Sequence, residues 1–190
     1  MTGERRLPVV FPPETDERLS SWVARMASFY AMTVPEFLAE LGLSGRDPFD
    51  LEWRLSDGEG ALIVARTGLT VEAIQAMTFQ EFTPDARMMI TRKDRHHCPL
   101  CPDDVHRKSL ALPWVFRCPV HGADLQDATG ATLPEMLGDA RMAALATHAK
   151  AGSVILNAWA RGAGQGILGA PACLASLAGR ATAHVAADPA

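Results

Sequence analysis

Two paired ligand motifs, separated by a short loop, constrain this chain more than any other feature of its sequence. Residues 98–101 read Cys-Pro-Leu-Cys, and after 16 intervening residues 118–121 read Cys-Pro-Val-His. Zn2+ takes four donors in a tetrahedron, and one C-x-x-C turn supplies only two adjacent corners, so the second pair completes the shell. A lone C-x-x-C could be a redox motif, but two pairs at this spacing are typical of structural zinc. We predict one Zn2+ bound by Cys98, Cys101, Cys118 and His121.

A complete set of four protein ligands has a consequence for function. It leaves no open coordination position for water, so the predicted zinc folds the chain and does not catalyse. Such binding contributes on the order of 10 kcal/mol to folding, more than the core of so small a segment. Two alternatives stay open: the cysteines are reduced and packed in a core, or His96 or His97 replaces a ligand or forms a nuclease-like centre.

The composition indicates a folded, mainly α-helical protein. With 190 residues, 48% of them hydrophobic and 21% charged, the chain can bury a core and differs from disordered proteins. We predict three parts. They are a helical N-terminal part with helix-turn-helix character at 1–84, a small β-containing zinc-finger or zinc-ribbon module at 85–127, and a C-terminal helical segment at 128–190.

The cysteines and the N-terminus indicate the compartment. Three of the four cysteines lie in the paired motifs and Cys173 stands alone, which is no disulfide framework and fits a reducing cytosol. We find no signal peptide and no apolar run of the roughly 18 residues that a membrane span requires. We therefore expect a cytoplasmic protein without a membrane span.

Helix signals fill the N-terminal part. Apolar residues at three- and four-residue spacing predict an amphipathic helix from about residue 15 or 16 to residue 30. Residues 33–36, Thr-Val-Pro-Glu, form a capping box that predicts a second helix ending at Gly42. Asp47, followed by proline, predicts the start of a third helix.

Residues 60–77 have the layout of a helix-turn-helix. Gly68 lies at the turn between two helical segments, and Thr70 caps the second of them. The second segment carries Glu72 and Gln75 but neither Lys nor Arg, whereas helices that read a DNA groove usually carry such donors. Two interpretations stay open: a DNA-binding pair, or a pair that packs in the fold or contacts a protein.

The segments around the zinc motifs have a β-like pattern. Met88–Thr91 precedes the first motif and Ala111–Phe116 leads into the second, which predicts short strands that feed zinc knuckles. We expect Trp114 to form the small core of this module, with base stacking as the alternative.

The C-terminal part predicts helices made of small residues. Two helices are expected, at 133–150 and 153–159, followed by a segment at 170–184 whose small residues suit close helix packing. The Gly-x-Gly-x-Gly run at 162–166 has neither a preceding strand nor the Lys-Ser/Thr of a P-loop, so it does not predict a nucleotide site.

The charge distribution is uneven along the chain. The net charge of −4 argues against a protein that coats nucleic acid, but residues 84–121 carry seven Lys and Arg against four Asp and Glu. This basic segment is either a solvated surface that balances the acidic N-terminal part or a set of phosphate contacts. The candidate DNA contacts are Arg92, Lys93, Arg95, Arg107, Lys108 and Arg117.

The order of these features resembles the TniQ family, whose members act in transposition beside a transposase and an AAA+ ATPase. The resemblance covers about residues 7–125. It rests on Pro12–Thr15, Leu19–Ala27, Phe37-Leu38, His97–Cys101 and Trp114–Leu125. It implies a helical part with helix-turn-helix character, a zinc finger, and a homodimeric adaptor that couples target-site recognition to an AAA+ ATPase or another transposition protein.

Three classes of function remain to be weighed. The first is a non-enzymatic adaptor, and the second is a small DNA-binding transcriptional regulator that uses residues 60–77. An enzyme has the least support, because the sequence offers no nucleophile paired with a base and no pair of carboxylates at a spacing typical of acid–base catalysis. The predicted metal shell is also closed. We therefore expect no catalytic residues.

Overall fold

A computed structural model describes residues 6–92, 94, 96–127, 129–132 and 140–163, and within 140–146 it describes the backbone alone. These residues are mainly helical, which confirms the predicted fold class. The elements are α1 (Leu19–Phe29), α2 (Val34–Glu40), α3 (Pro48–Arg54), α4 (Asp57–Thr67), α5 (Val71–Ala76), α6 (Pro84–Met89), a 3-10 helix (Lys108–Ala111) and α7 (Ala140–Ala160).

The β structure of the described residues consists of isolated bridges. These pair Glu17 with Arg107, His97 with Gln126, Arg117 with Asp124, and Gln126 with Thr132. The strands predicted at Met88–Thr91 and Ala111–Phe116 are therefore wrong. The first segment begins inside α6, and the second begins at the last residue of the 3-10 helix.

Local start signals explain the helix found in place of the first strand. The side chain of Thr83 caps α6 by accepting a hydrogen bond from the Ala86 N–H, and Pro84 and Asp85 occupy the first helical turn. All three residue types favour a helix N-terminus. Together they outweigh the short apolar run that follows.

The first helix begins later than predicted, at Leu19. Asp16 has a φ of 61°, which lies in the left-handed region and cannot belong to a right-handed helix. The backbone of Glu17 pairs with Arg107 in an isolated bridge. The apolar stripe itself is confirmed. Its fully buried members include Leu19, Trp22, Val23 and Met26.

Side-chain caps start α2 and α3 where they were predicted. Thr33 and Glu36 form both halves of the capping box, and Gly42 follows the helix with a φ of 83°. Asp47 Oδ1 accepts from the Phe49 N–H at 2.9 Å at the start of α3. Both helices contact α1.

The predicted helix-turn-helix shape is present in α4 and α5. Gly68 ends α4 with a φ of 75°, Thr70 caps α5, and Ile63 and Ile74 are buried. α5 has only six residues, and Ile74 is its buried side chain. The role of this pair in DNA binding stays a prediction.

We expect Gly68→Ala to lower the free energy of unfolding by about 1 kcal/mol. An L-residue at positive φ costs roughly 1–2 kcal/mol, and the new Cβ would lie 3.4 Å from Arg6 Nη1. Gly60→Ala is the matched control, because Gly60 lies within α4 and its Cβ would make an ordinary 3.8 Å contact with Leu55. Gly60→Ala should raise the free energy of unfolding by about 0.5–1 kcal/mol. Urea unfolding measures both changes, and a shift of the same sign in the two variants would contradict this account of the turn.

Two hydrophobic clusters organise the described residues. The first lies among α1–α5, between Leu19 and Met77. The second extends from Phe79 to Ala160 and packs α6 and α7 against the segment that carries the zinc motifs. The boundaries of the three predicted parts, 1–84, 85–127 and 128–190, stay a prediction.

α7 is one continuous helix from Ala140 to Ala160, so the prediction of separate helices at 133–150 and 153–159 is wrong. Gly152 lies inside it, at a cost of only about 1 kcal/mol relative to alanine. Residues 133–139 and 164–190 lie outside the described residues, and with them the end of the glycine run, Cys173 and the helical segment predicted at 170–184. No helix among the described residues combines the length and the apolar character that a membrane span requires.

Trp114 is buried, as predicted, and it connects the zinc-bearing segment to α7. Its Nε1–H donates to Asn157 Oδ1 at 3.0 Å. Its ring meets the ring of Trp159 edge to face, with centroids 6.2 Å apart. The tryptophan thus packs in the second cluster and does not present its ring for base stacking.

Candidate metal centre

The four predicted metal ligands come together in the folded chain. The donor atoms of Cys98, Cys101, Cys118 and His121 lie within 4.8 Å of one another. His121 Nδ1 lies 3.6, 3.4 and 3.7 Å from the Sγ atoms of Cys98, Cys101 and Cys118, and the last two Sγ atoms are 3.8 Å apart. Among the residues that the structure describes, this cluster does not include His96 or His97.

These distances fit a tetrahedral zinc site. Bonds of about 2.3 Å to sulfur and about 2.0 Å to nitrogen place two sulfurs about 3.8 Å apart, and a sulfur and a nitrogen about 3.5 Å apart. Three thiolates and one imidazole are also donors that zinc prefers. The cluster can therefore hold a metal ion in a shell of four protein donors.

A tight turn shapes each half of the cluster. The Cys101 N–H donates to the Cys98 C=O at 3.1 Å, and the Gly122 N–H donates to the Cys118 C=O at 2.9 Å. Gly122 has a φ of 64°, a conformation that glycine adopts at little cost. The turns bring the two donors of each pair to the same side of the backbone.

Arg107 places a positive charge beside the cluster. Its Nε donates to Cys101 Sγ at 3.1 Å, a second N–H of the guanidinium donates to the Thr15 C=O, and the residue is 3% exposed. Three thiolates and one divalent ion carry a net charge of −1, which this cation offsets. Sequence reasoning missed this role, because nothing in the loop between the motifs marks one arginine as a sulfur contact.

The thiols of Cys101 and Cys118 differ in acidity. Burial raises the pKa of Cys101 to about 11, although the hydrogen bond and charge of Arg107 act to lower it. Burial also acts to raise the pKa of Cys118, but the backbone N–H groups of His121 and Val120 hydrogen-bond its sulfur and bring the pKa below its ordinary value. A bound metal takes thiolates, so binding releases protons and strengthens as the pH rises.

A buried ion cluster joins the start of α1 and α3 to the segment before the first motif. Arg18 and Glu52 are 2% and 0% exposed, with Arg18 Nη2 2.8 Å from Glu52 Oε2. Arg18 Nη1 also donates to Asp94 Oδ1 at 3.1 Å and to the Arg92 C=O at 3.0 Å. His106 Nδ1 lies 2.8 Å from Asp94 Oδ2, and this hydrogen bond raises the pKa of His106.

The loop between the two motifs has a second connection to the helical part. The backbone N–H groups of Lys108 and Ser109 donate to the C=O and Oδ2 of Asp16, at 2.8 and 3.1 Å. Lys108 Nζ donates to Glu81 Oε1 at 2.6 Å and to the Thr78 C=O at 3.2 Å. The metal-binding segment is thus anchored to the helices at two places.

The structure separates the predicted DNA contacts into groups. Lys93 and Arg95 lie outside the described residues. Arg107 and Lys108 are 3% and 5% exposed and have the internal partners described above. Neither side chain can contact DNA as a free surface cation without leaving these partners, so we correct that interpretation for both residues.

Arg92 and Arg117 are the exposed members of the predicted set, with side chains 60% and 68% exposed. Each has acidic neighbours. Arg92 pairs with Asp47 at 3.3 Å and Asp50 at 2.7 Å, and Arg117 Nε lies 4.0 Å from Asp124. These carboxylates reduce the positive potential that a phosphate would meet. DNA contact by the two arginines stays a prediction.

Comparison with known protein families decides the class of this chain. The family model TniQ matches residues 8–125. The chain belongs to the TniQ family. The match includes α1 to α6 and all four candidate metal donors, so the TniQ region contains both the helical part and the candidate metal centre. TniQ proteins are associated with transposition. No curated protein and no solved structure matches the chain significantly.

Proposed function

We propose that this TniQ protein is a non-enzymatic adaptor that holds one structural Zn2+ and couples recognition of target DNA to other transposition proteins. The observation that supports this most is the cluster of three cysteines and one histidine, anchored to the helices through buried Arg18 and Glu52. Zinc in this cluster would supply a cross-link between two distant turns. A shell of four protein donors leaves no coordination position for a substrate or a reactive water.

The proposed partners are an AAA+ ATPase or another transposition protein, DNA, and a second copy of the chain, all in the cytoplasm. Membership of TniQ supports a transposition partner in general. Exposed apolar side chains offer protein-binding surface: Phe29 at the end of α1 is 49% exposed, and Leu100 and Val120 in the two metal-binding turns are 62% and 40% exposed.

Three observations test the adaptor. The genes beside this one should include a transposase and an AAA+ ATPase, and the purified ATPase should form a complex with the full chain in size-exclusion chromatography with light scattering. Elemental analysis should find one zinc per chain. An ATPase that never binds the zinc-loaded chain would count against the adaptor, and a crystal structure with a solvent molecule bound to the metal would count against a structural role of the ion.

We expect weak binding to random duplex DNA with a shallow salt dependence. If Arg92 and Arg117 neutralise one phosphate each, a plot of log K against log salt concentration has a slope of about −2. The dissociation constant should lie in the range of about 10⁻⁴ to 10⁻⁶ M that is typical of non-specific binding. Fluorescence anisotropy of a labelled duplex between about 50 and 200 mM salt measures both quantities.

A pair of variants makes this titration specific. The double variant Arg92→Gln, Arg117→Gln should make the slope shallower by at least one unit, from about −2 to about −1 or closer to zero. Arg54→Gln removes an exposed arginine of α3 that is not a predicted contact and should leave the slope unchanged. Nanomolar affinity with a steep slope would instead favour the alternative function, a small transcriptional regulator that uses residues 60–77.

A further inference from the structure

A polar pocket lies between the 3-10 helix, the second metal-binding turn and α7. Its volume is about 250 Å³, and its wall includes Lys108, Ser109, Arg117, Asn157 and Arg161. Pockets for drug-sized ligands have volumes of roughly 300–1,000 Å³, so this one suits a small chemical group. None of the four metal donors lines it.

Positive charges outnumber negative charges around this pocket. Lys108, Arg117 and Arg161 line it, together with one carboxylate, that of Asp16. Glu81 contacts two of the cations, with its Oε1 2.6 Å from Lys108 Nζ and its Oε2 3.4 Å from Arg161 Nε. Among the described residues, these three cations and two carboxylates give the pocket a net charge of +1. A guanidinium group matches the geometry of phosphate oxygens, so such a pocket favours an oxyanion.

Asp124, the acid that the structure pairs with Arg117, offsets only part of the charge of this arginine. Asp124 Oδ1 lies 4.0 Å from Arg117 Nε but 2.6 Å from Lys150 Nζ, so it pairs more closely with the lysine. The Arg117 side chain is 68% exposed and the Arg161 side chain is 45% exposed. Both arginines therefore remain accessible to a ligand that enters from solvent.

Ser109 gives an independent sign of a ligand. The residue is 8% exposed, and within the described part of the chain its Oγ has no hydrogen-bond partner. An unpaired buried hydroxyl costs free energy, and folded proteins contain few such groups. The Ser109 N–H is already bound to Asp16 Oδ2 at 3.1 Å, which holds the residue in the wall of the pocket. The hydroxyl has a proton that it can donate to an anion, and because the Oγ itself is closed to solvent, it reaches a ligand in the pocket by rotation about χ1.

Asn157 adds a second donor of fixed orientation. An indole N–H is a donor only, so the bond from Trp114 Nε1 at 3.0 Å requires Asn157 to accept with Oδ1. The amide is then oriented with its NH2 group on the other side. Because Asn157 also lines the pocket, this NH2 group is a donor for a ligand there.

We propose that this pocket binds a phosphate group, which Arg117 and Arg161 hold by charge and Ser109 Oγ and Asn157 Nδ2 hold by hydrogen bonds. A phosphate of the DNA backbone and a free phosphate anion present the same oxygens, and either can supply the group. The inference rests on the pocket alone and stands whether or not the chain acts as an adaptor. A bound phosphate would connect the metal-binding segment to α7, because both contribute donors.

Inorganic phosphate is the first probe. Its titration into the zinc-loaded full chain, followed by two-dimensional NMR, should saturate, with shifts at Ser109 and Asn157. Ser109→Ala should weaken the affinity about tenfold, the usual effect of losing a hydrogen bond to a charged group. Since the variant removes an unpaired buried hydroxyl, its midpoint of urea unfolding without phosphate should equal or exceed that of the parent. A purely structural serine would not produce this combination.

Charge variants and a duplex arm complete the experiment. Arg117→Gln with Arg161→Gln should abolish phosphate saturation, while Arg54→Gln on the exposed face of α3 should keep it.

If DNA supplies the group, Ser109→Ala also weakens binding of a short duplex and free phosphate competes with the duplex. If a free anion is the ligand, duplex binding is the same in parent and variant while phosphate binding still weakens. Absence of saturation in the parent, or equal phosphate affinity in the parent and Ser109→Ala, would overturn the proposal. The ATPase-binding measurement remains separate from both results.

Discussion

Cys118→Ser is expected to abolish metal binding and to unfold the chain between about residues 92 and 125. Cys118 is 2% exposed, and its Sγ lies 3.8 Å from Cys101 Sγ within the four-residue cluster. Structural zinc contributes on the order of 10 kcal/mol to folding, and the loss of one thiolate removes most of that stabilisation. The β structure around the cluster consists of isolated bridges in the described residues, and the burial of Leu110, Trp114 and Leu125 in the second hydrophobic cluster does not by itself hold the two metal-binding turns together.

Two measurements on the same sample check this expectation. Elemental analysis should fall from one zinc per chain to nearly none, and hydrogen exchange should become fast at the amides of the metal-binding segment. The amides of α1 and α2 should stay protected, because the first cluster contains no residue of the zinc motifs. Cys173→Ser is the matched control, since it changes the same residue type outside the donor set and should retain the metal. One zinc per chain in Cys118→Ser would show that the ligand assignment is wrong.

Glu52→Gln is expected to lower the free energy of unfolding by about 3 kcal/mol, within the range of roughly 3–5 kcal/mol for breaking a buried ion pair. Glu52 is 0% exposed and accepts from Arg18 Nη2 at 2.8 Å and from the Ser20 N–H at 2.9 Å. The variant keeps the size of the side chain but leaves Arg18 buried with Asp94 as its remaining carboxylate partner, at 3.1 Å. The cost is that of an incompletely neutralised charge in a site of low dielectric constant.

Asp50→Asn is the control for this variant. It lies in the same helix, α3, and removes one carboxylate from an ion pair with Arg92 whose side chains are 60% and 50% exposed. Such surface pairs contribute about 0–1 kcal/mol, so its effect should be small. Urea unfolding of the zinc-loaded chains gives the two free energies. If both variants change stability equally, the buried cluster does not anchor the metal-binding segment as we describe.

Local signals in the sequence predicted the elements that depend on neighbouring residues. The capping box at Thr33 and Glu36, the cap at Asp47 and the turn at Gly68 act within a few residues, and each is found where it was expected. The strand predicted at Met88–Thr91 is wrong, because the Thr-Pro-Asp start of α6 outweighs the short apolar run that follows it. The start of α1 was also misplaced, since Asp16 and Glu17 are engaged with a segment distant in sequence.

The cluster of three cysteines and one histidine and the TniQ membership could be recognised from the sequence alone. Two short motifs, each with two donors at fixed spacing, require little tertiary information to meet around one ion, since each pair is already placed by its own turn. The basic segment was harder to interpret. The charge of its Lys and Arg residues leaves open a solvated surface or a set of phosphate contacts, and charge does not reveal whether a side chain points outward or inward.

By itself the sequence determined the Cys/His cluster, the helix caps and the family, because each depends on residue types at short, fixed separations. Only the tertiary structure decided which cations are buried, since Arg18 meets Glu52 and Asp94 across 34 and 76 positions of the chain. It also decided that Arg107 faces a metal-binding sulfur and that Ser109 lies beside α7. Such contacts depend on how the chain closes over long distances, and no pattern of adjacent residues encodes them.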